Sequence, residues 1–292
     1  MKIALFSQDI NQDVETVFKS ILSHKEASKN KFFINENLRN CIDKEYLNSY
    51  PFFHNHEDLN ENLDLFISIG GDGTFLRSIE LVRNLNLPII GINTGRLGFL
   101  ASTKKENLEK SLKKIYNKKF IVEKRSLLKV STNCNTVPEN SFPYALNEIS
   151  VVRKNTTSMI NVRTSLDGTY VNSYWSDGLI ISTPTGSTGY SLSCGGPVIS
   201  PSSNSLVLTP ISPHNLNARP LVISDSTKIE ISVSGREDFH LLSIDAKIYT
   251  LKNETKIFLE KANFDIQVAN INNYNFYKTL KDKLLWGKDK RN

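Results

Sequence analysis

The stretch Leu65-Phe66-Ile67-Ser68-Ile69-Gly70-Gly71-Asp72-Gly73-Thr74-Phe75-Leu76-Arg77 constrains the fold more than any other part of the chain. Its nearly continuous apolar opening suits a strand buried on both faces, as parallel sheets require. Glycines then break the strand around a single carboxylate. Phe75, Leu76, Ile79, Val82 and Leu85 follow on one helical stripe, and Pro88-Ile89-Ile90-Gly91-Ile92 reads as the next strand. Ile3 to Phe6 adds an upstream strand and Val14 to Leu22 an upstream helix. A β-α-β order of this kind predicts an open, mostly parallel α/β sheet.

From about Glu123 the pattern changes to short runs of Val, Ile, Tyr and Thr with turns between them. "MINVRTSLDGTYVNSYWS" predicts a hairpin turning at Asp167-Gly168, a pair suited to positive φ angles. "KIEISVSG", "HLLSIDAKIYTL" and "KIFLEKA" continue the theme, and the tail returns to helix with Phe276, Tyr277, Leu280, Leu284 and Leu285 on one face. The expected organisation is an α/β domain over 1–122 and an all-β domain over 123–267. A final helix within 268–292 is expected to return to the first domain. A length of 292 residues agrees with about two domains.

Composition narrows the function classes. No apolar run approaches the ~18 residues of a membrane span, and the N-terminal segment is too polar for a secretory leader, so a cytoplasmic protein without membrane contact is expected. Cys41, Cys134 and Cys194 are scattered without metal or disulfide spacing. The net charge of +6 raises the question of nucleic acid. Many of the lysines lie between Lys104 and Phe120, opposite Leu108, Leu112, Ile115 and Tyr116 at helical spacing, and so form a solvated face. With no nucleic-acid module present, the charge is better suited to steering small anionic substrates such as nucleotides.

Four segments carry candidate chemistry. In the first, a glycine turn between strand and helix lets backbone N–H groups approach a phosphate. It is neither a Walker A loop nor a dinucleotide fingerprint, and Asp72 can be read as a helix cap or as a chemical group. The second, "GINTGRLGFLA" with Asn93, Gly95 and Gly98, follows the next strand. It should therefore meet the first at the C-terminal sheet edge, where open α/β folds bind ligands. The third, Ser176 to Pro201, is dense in hydroxyls: Ser182, Thr183, Thr185, Ser187, Thr188, Ser191 and Ser193, with Tyr190 among them. It reads as a ribose-and-base platform or as an ordinary β turn. The fourth is Asn147-Glu148, which interrupts an apolar run. There a carboxylate and an amide could hold ribose hydroxyls and a base edge, or simply mark a strand end.

Taken together and in order, these segments resemble the NAD kinase family. The resemblance covers Gly70-Gly71-Asp72-Gly73-Thr74, "NTGRLGFLA", "VEKRSLL", Asn147-Glu148, the Ser176–Pro201 segment, "LTPISPHNLNARPLVI" and "TLKDKLLWG". The resemblance implies transfer of the γ-phosphate of ATP to the 2′-hydroxyl of the adenosine ribose of NAD. It implies Asp72 as general base with Gly73 beside it. Asn147, Glu148, Asp177, Thr188, Gly189, Tyr190, Ser191, Leu192 and Ser193 would line the NAD site. Arg77 is placed either on a donor phosphate or in solvent. ATP with a divalent metal, normally Mg²⁺, is the implied donor, and a homodimer or homotetramer the implied assembly, with Asp177 acting across an interface. The GGDGT turn is also shared with lipid kinases, and a non-catalytic NAD(P) sensor is a second alternative. The chain departs from the family at Asp245-Ala246-Lys247, where bacterial members often carry Asp-Gly-Gln, and at Gly189, where alanine is common.

Overall fold

The computed structural model describes residues 1–95, 98–101, 103–134, 142–155, 158–271 and 275–285. They form two compact units, one built from Met1–Lys124 together with the chain from Ile266 onward, the other from Arg125–Asp265.

In the first unit the strands are β1 (Lys2–Phe6), β2 (Lys31–Asn35), β3 (Phe52–Phe53), β4 (Leu65–Ile69), β5 (Ile89–Asn93) and β6 (Thr103–Lys104). The helices are α1 (Gln12–Ser23), α2 (Asp72–Val82) and α3 (Leu108–Tyr116). The sheet order β3-β2-β1-β4-β5 is parallel throughout. Every residue of β4 and β5 is buried, because helices cover both faces. Val14, Val17, Phe18 and Ile21 of α1 and Leu112 and Ile115 of α3 pack on Ile3, Leu5, Ile67 and Ile90. With a side-chain period of two, Phe66 and Gly91 point the other way, toward α2. The lysine-rich α3 buries Leu108, Leu112 and Ile115, as its spacing predicts.

The second unit holds β7 (Ile121–Thr132, from Arg125), β8 (Tyr144–Ala145), β9 (Glu148–Arg153), β10 (Ile160–Leu166), β11 (Thr169–Ser176) and β12 (Gly178–Ser182). It continues with a four-residue helical turn α4 (Tyr190–Ser193), then β13 (Ser205–Ile211), β14 (Leu221–Ser224) and β15 (Ile229–Gly235). The last strands are β16 (Phe239–Ile244), β17 (Lys247–Lys252) and β18 (Ile257–Asn270). One antiparallel sheet runs β14-β13-β12-β9-β16-β17. In the other, β11, β10, β15 and the start of β18 are antiparallel neighbours. Val151, Ile181 and Leu242 from the first sheet and Val162, Ile231 and Val233 from the second share one core. The predicted hairpin turns where expected: Leu166 pairs with Thr169, and Asp167 has φ 48°. Among the described residues the expectation of pure β structure gives way at α4 and at the short 3-10 turn Gly186–Thr188 that precedes it.

β18 continues out of the second unit, and its Val268 pairs in parallel with Ile89 of β5. The final helix, α5 (Phe276–Leu284), belongs to the first unit, as its pattern suggested. Its apolar face is narrower than expected. Leu280 is buried, but Tyr277 is exposed and Leu285 lies past the last turn in a left-handed conformation. Trp286 and Gly287 lie outside the described residues.

Candidate active site

In the first unit the two glycine loops leave adjacent parallel strands whose ends are in register, Ile69 beside Ile92. Gly70 makes the turn: its φ of 153° is one that L-residues rarely adopt, and a Cβ there would overlap the Thr74 side chain. Its N–H is tied to the Ile92 carbonyl at 2.9 Å. Gly71 is the N-cap and Asp72 the first residue of α2.

Asp72 does not cap its helix. The carboxylate turns to the second loop, where Oδ2 accepts from the Phe99 N–H at 2.8 Å and Oδ1 from Leu100 at 3.1 Å and Ala101 at 2.9 Å. Gly98 permits this approach, since a Cβ there would lie inside the Asp72 carboxylate. A carboxylate has about four acceptor positions. Three are taken, and the remaining one is on Oδ2. The aspartate is thus half-buried, held in one orientation, and still able to accept one more proton donor. Gly73 is exposed in the first helical turn, where N–H groups have no intrahelical acceptor. Arg77 pairs with Glu80 along the helix at 3.3 Å. A surface pair of this kind is worth at most about 1 kcal/mol, weak enough to exchange for a phosphate. Arg96 and Leu97 of the second loop lie outside the described residues.

In the second unit, β9 and β12 are antiparallel with Glu148 opposite Ser182. The segment after β12 folds back on the residues before β9. The Thr183 N–H donates to the Asn147 carbonyl at 2.9 Å, and the Thr183 hydroxyl donates to the Leu146 carbonyl. Here the hydroxyl-rich segment divides in two. Ser182, Thr183, Ser187 and Ser191 are fully buried and knit the turn. Ser187 donates to the Pro184 carbonyl at 2.7 Å and accepts from the Ile199 N–H at 2.9 Å. Ser191 bonds the Thr209 hydroxyl at 2.8 Å. Ser191, expected to touch ligand, is buried on the inner side of α4 with its hydroxyl bonded to Thr209, a placement that spacing along the sequence could not reveal. Thr188, Gly189 and Leu192 are half-buried, whereas Ser193 and Tyr190, the latter 42% accessible, are exposed. Asp177 pairs with Arg153 of its own chain, Nε to Oδ1 at 3.1 Å.

Asn147 and Glu148 have polar groups to spare. The Asn147 side-chain amide makes no hydrogen bond among the described residues, and Glu148 Oε2 is buried without a partner. Burial, with the nearby charge of Asp245, pushes the Glu148 carboxyl up to about 8. Near neutral pH it is mostly protonated and can donate as well as accept. Burial also raises the Tyr190 hydroxyl, followed by the charges of Cys194, Asp177 and Glu148. Tyr190, Asp177 and Glu148 thus share one electrostatic neighbourhood. Among the described residues no group of three or more His, Cys, Asp or Glu side chains could hold a metal.

Two family models match the chain. The ATP-NAD kinase N-terminal domain matches residues 11–120 and the ATP-NAD kinase C-terminal domain residues 146–269. The chain belongs to the ATP-NAD kinase family. It is 48% identical to the NAD kinase of Flavobacterium psychrophilum and 50% identical to that of Christiangramia forsetii, each over the full length of both chains. Among solved structures, an NAD kinase from Archaeoglobus fulgidus in complex with ATP is 29% identical with a TM-score of 0.75, covering 98% of this chain and 99% of that one. Yeast NADH kinase complexed with NADH is 22% identical with a TM-score of 0.83, covering 99% and 88%, and shares the fold. Within this ATP-NAD kinase framework, sequence reasoning missed the amides of residues 99–101, because main-chain donors carry no residue-type signal. The only trace was Gly98, the glycine that makes room for Asp72.

Proposed function

We propose that the chain is an NAD kinase that transfers the γ-phosphoryl group of ATP to the 2′-hydroxyl of the adenosine ribose of NAD, giving NADP and ADP. Asp72 carries this reading. Three backbone N–H groups fix its carboxylate beside a glycine turn, and one acceptor position is left on Oδ2. In the proposed step Oδ2 takes the proton of the 2′-hydroxyl as the oxygen attacks the γ-phosphorus and the bond to the ADP oxygen breaks. A positioned base of this kind contributes about 10²–10⁴-fold, and alignment supplies most of the rest in phosphoryl transfer. Gly73 and the open backbone of the turn would hold donor phosphates, with Arg77 released from Glu80 as an auxiliary cation. Mg²⁺, entering with ATP, would neutralise charge on the phosphate oxygens.

On the acceptor side, Asn147 and Glu148 would hold ribose hydroxyls and Tyr190 would offer its exposed ring. Thr188, Gly189, Leu192 and Ser193 would complete the wall. We assign the protein to the cytoplasm; no described helix is long and apolar enough to cross a membrane. A homodimer or homotetramer is supported by Tyr170, Val171 and Trp175, exposed apolar groups on β11 at the end of its sheet, and sedimentation would test it. The test of function is incubation of purified protein with NAD, ATP and Mg²⁺, with NADP read by an NADP-specific dehydrogenase. Parallel arms with NADH and polyphosphate fix the acceptor and donor. Absence of NADP in every arm would overturn the reading.

A further inference from the structure

Asp245 sits in the two-residue turn between β16 and β17, next to the closing pair Ile244–Lys247. Its φ of 47° lies in the left-handed region, where Asp and Asn are enriched among non-glycine residues. A turn asks nothing more of the side chain. Yet the carboxylate leaves its own hairpin. Oδ2 accepts from the Leu146 N–H at 2.8 Å, and Oδ1 from Asn147 at 2.9 Å and Glu148 at 3.0 Å. The Asp245 N–H returns a bond to the Glu148 carbonyl at 3.0 Å. Three consecutive amides converging on one anion form a charge-assisted nest. The segment it grips carries the two side chains with unspent polar groups, including the orphaned Glu148 Oε2.

We propose that Asp245 is a positioning residue for the acceptor subsite, its carboxylate fixing the backbone from which Asn147 and Glu148 present their ligand-binding groups. The proposal rests on reading that subsite as the one for NAD. The same carboxylate also acts through space. After burial, its charge is the second cause that raises the Glu148 carboxyl. Among the described residues Tyr190 of α4 also faces Glu148, with Asp177 and Cys194 nearby. Removing the charge at Asp245 therefore loosens the backbone and moves Glu148 back toward the ordinary carboxylate range.

The decisive variant is Asp245→Asn, which keeps the size and the turn but offers one acceptor oxygen and no charge. The KM for NAD should rise about tenfold or more, the range expected for losing a charge-assisted bond, while the KM for ATP stays within about twofold. In addition, the pH at which NAD affinity changes with Glu148 ionisation should move lower, an effect that simple loosening of the fold would not give. In the double variant with Glu148→Gln that pH dependence should vanish. An unchanged KM for NAD together with an unmoved pH profile overturns the proposal. If the wild type itself neither binds NAD nor forms NADP, the functional reading fails and the proposal falls with it, a result distinct from normal wild-type turnover with an indifferent variant. Should Asp245→Asn not fold, amide hydrogen exchange on the wild type decides. The amides of residues 146–148 should be strongly protected and slow further when NAD is added; exchange at open-loop rates would overturn the clasp.

Discussion

Asp72 at the head of α2 and Asp245 in the β16–β17 turn hold their surroundings in the same way. Each accepts three consecutive backbone N–H groups, two on one oxygen and one on the other. Their settings differ. Around Asp72, a Cβ on Gly71, Gly73 or Gly95 would meet open space, so the aspartate itself is the group on display. Around Asp245 the display belongs to the clasped segment, through Asn147 and Glu148. In one unit the amides present the carboxylate; in the other the carboxylate presents what its amides carry. On the proposed reading, one backbone device serves chemistry in the first case and placement in the second.

The sharpest way to break this comparison is Asp72→Asn. It should lower kcat by about 10²–10⁴-fold with the fold intact by circular dichroism; near-normal turnover would reduce both aspartates to placement. Next in size is Gly98→Ala. Its Cβ would collide with the Asp72 carboxylate, so the clasp must open, at a cost of about 1–3 kcal/mol in stability and a matching loss of kcat. Denaturant melts and steady-state kinetics on the same preparation would check that the two losses go together.

Glu148→Gln tests the other side. The Glu148 carboxyl titrates near 8 in the folded protein, against an ordinary value of 4.5. Below about 4.5 it is protonated in both the folded and unfolded states and has no effect on stability. As pH rises from 4.5 to 8 the unfolded chain ionises first, so stability is progressively lost, and above 8 the deficit is constant. The glutamine variant should escape this and be more stable by about 2–4 kcal/mol at pH 9, little changed at pH 4, and weaker for NAD. A pH-independent difference in melting would refute the assignment. Smaller again, Ser191→Ala should cost about 1–2 kcal/mol of stability through its lost bond to Thr209, with the KM for NAD unchanged. A raised KM without destabilisation would return Ser191 to the ligand side.

The fold class was legible because the hydrophobic periods are clean. Leu65–Ile69 and Ile89–Asn93 are buried on both faces and carry nearly continuous apolar runs, while Asp167-Gly168 demanded a turn with positive φ. The site was legible as a set of segments, not as a set of contacts. Ser187 and Ser191 have the same residue type as Ser193, yet only Ser193 is exposed, and that depends on which way a single helical turn faces. The amides of residues 99–101 and 146–148 belong to Phe, Leu, Ala, Asn and Glu, a mixture with no common side-chain signature. The part played by Asp245 was hidden: the departures from the family pattern are its neighbours Ala246 and Lys247, and its own hydrogen bonds reach residues about a hundred positions away in sequence.

The pairing of Val268 with Ile89 has a consequence for how the protein is made. Domains tend to fold as they leave the ribosome, N-terminal first, but here the first unit cannot finish in that order. The glycine turn with Asp72 emerges early, while the strand that covers the Ile89 end of β5 is translated only after the whole of Arg125–Asp265. Until then β5 offers an open apolar edge, the kind that invites association with other chains. The nascent first unit therefore has to wait, exposed, for the far end of its own polypeptide.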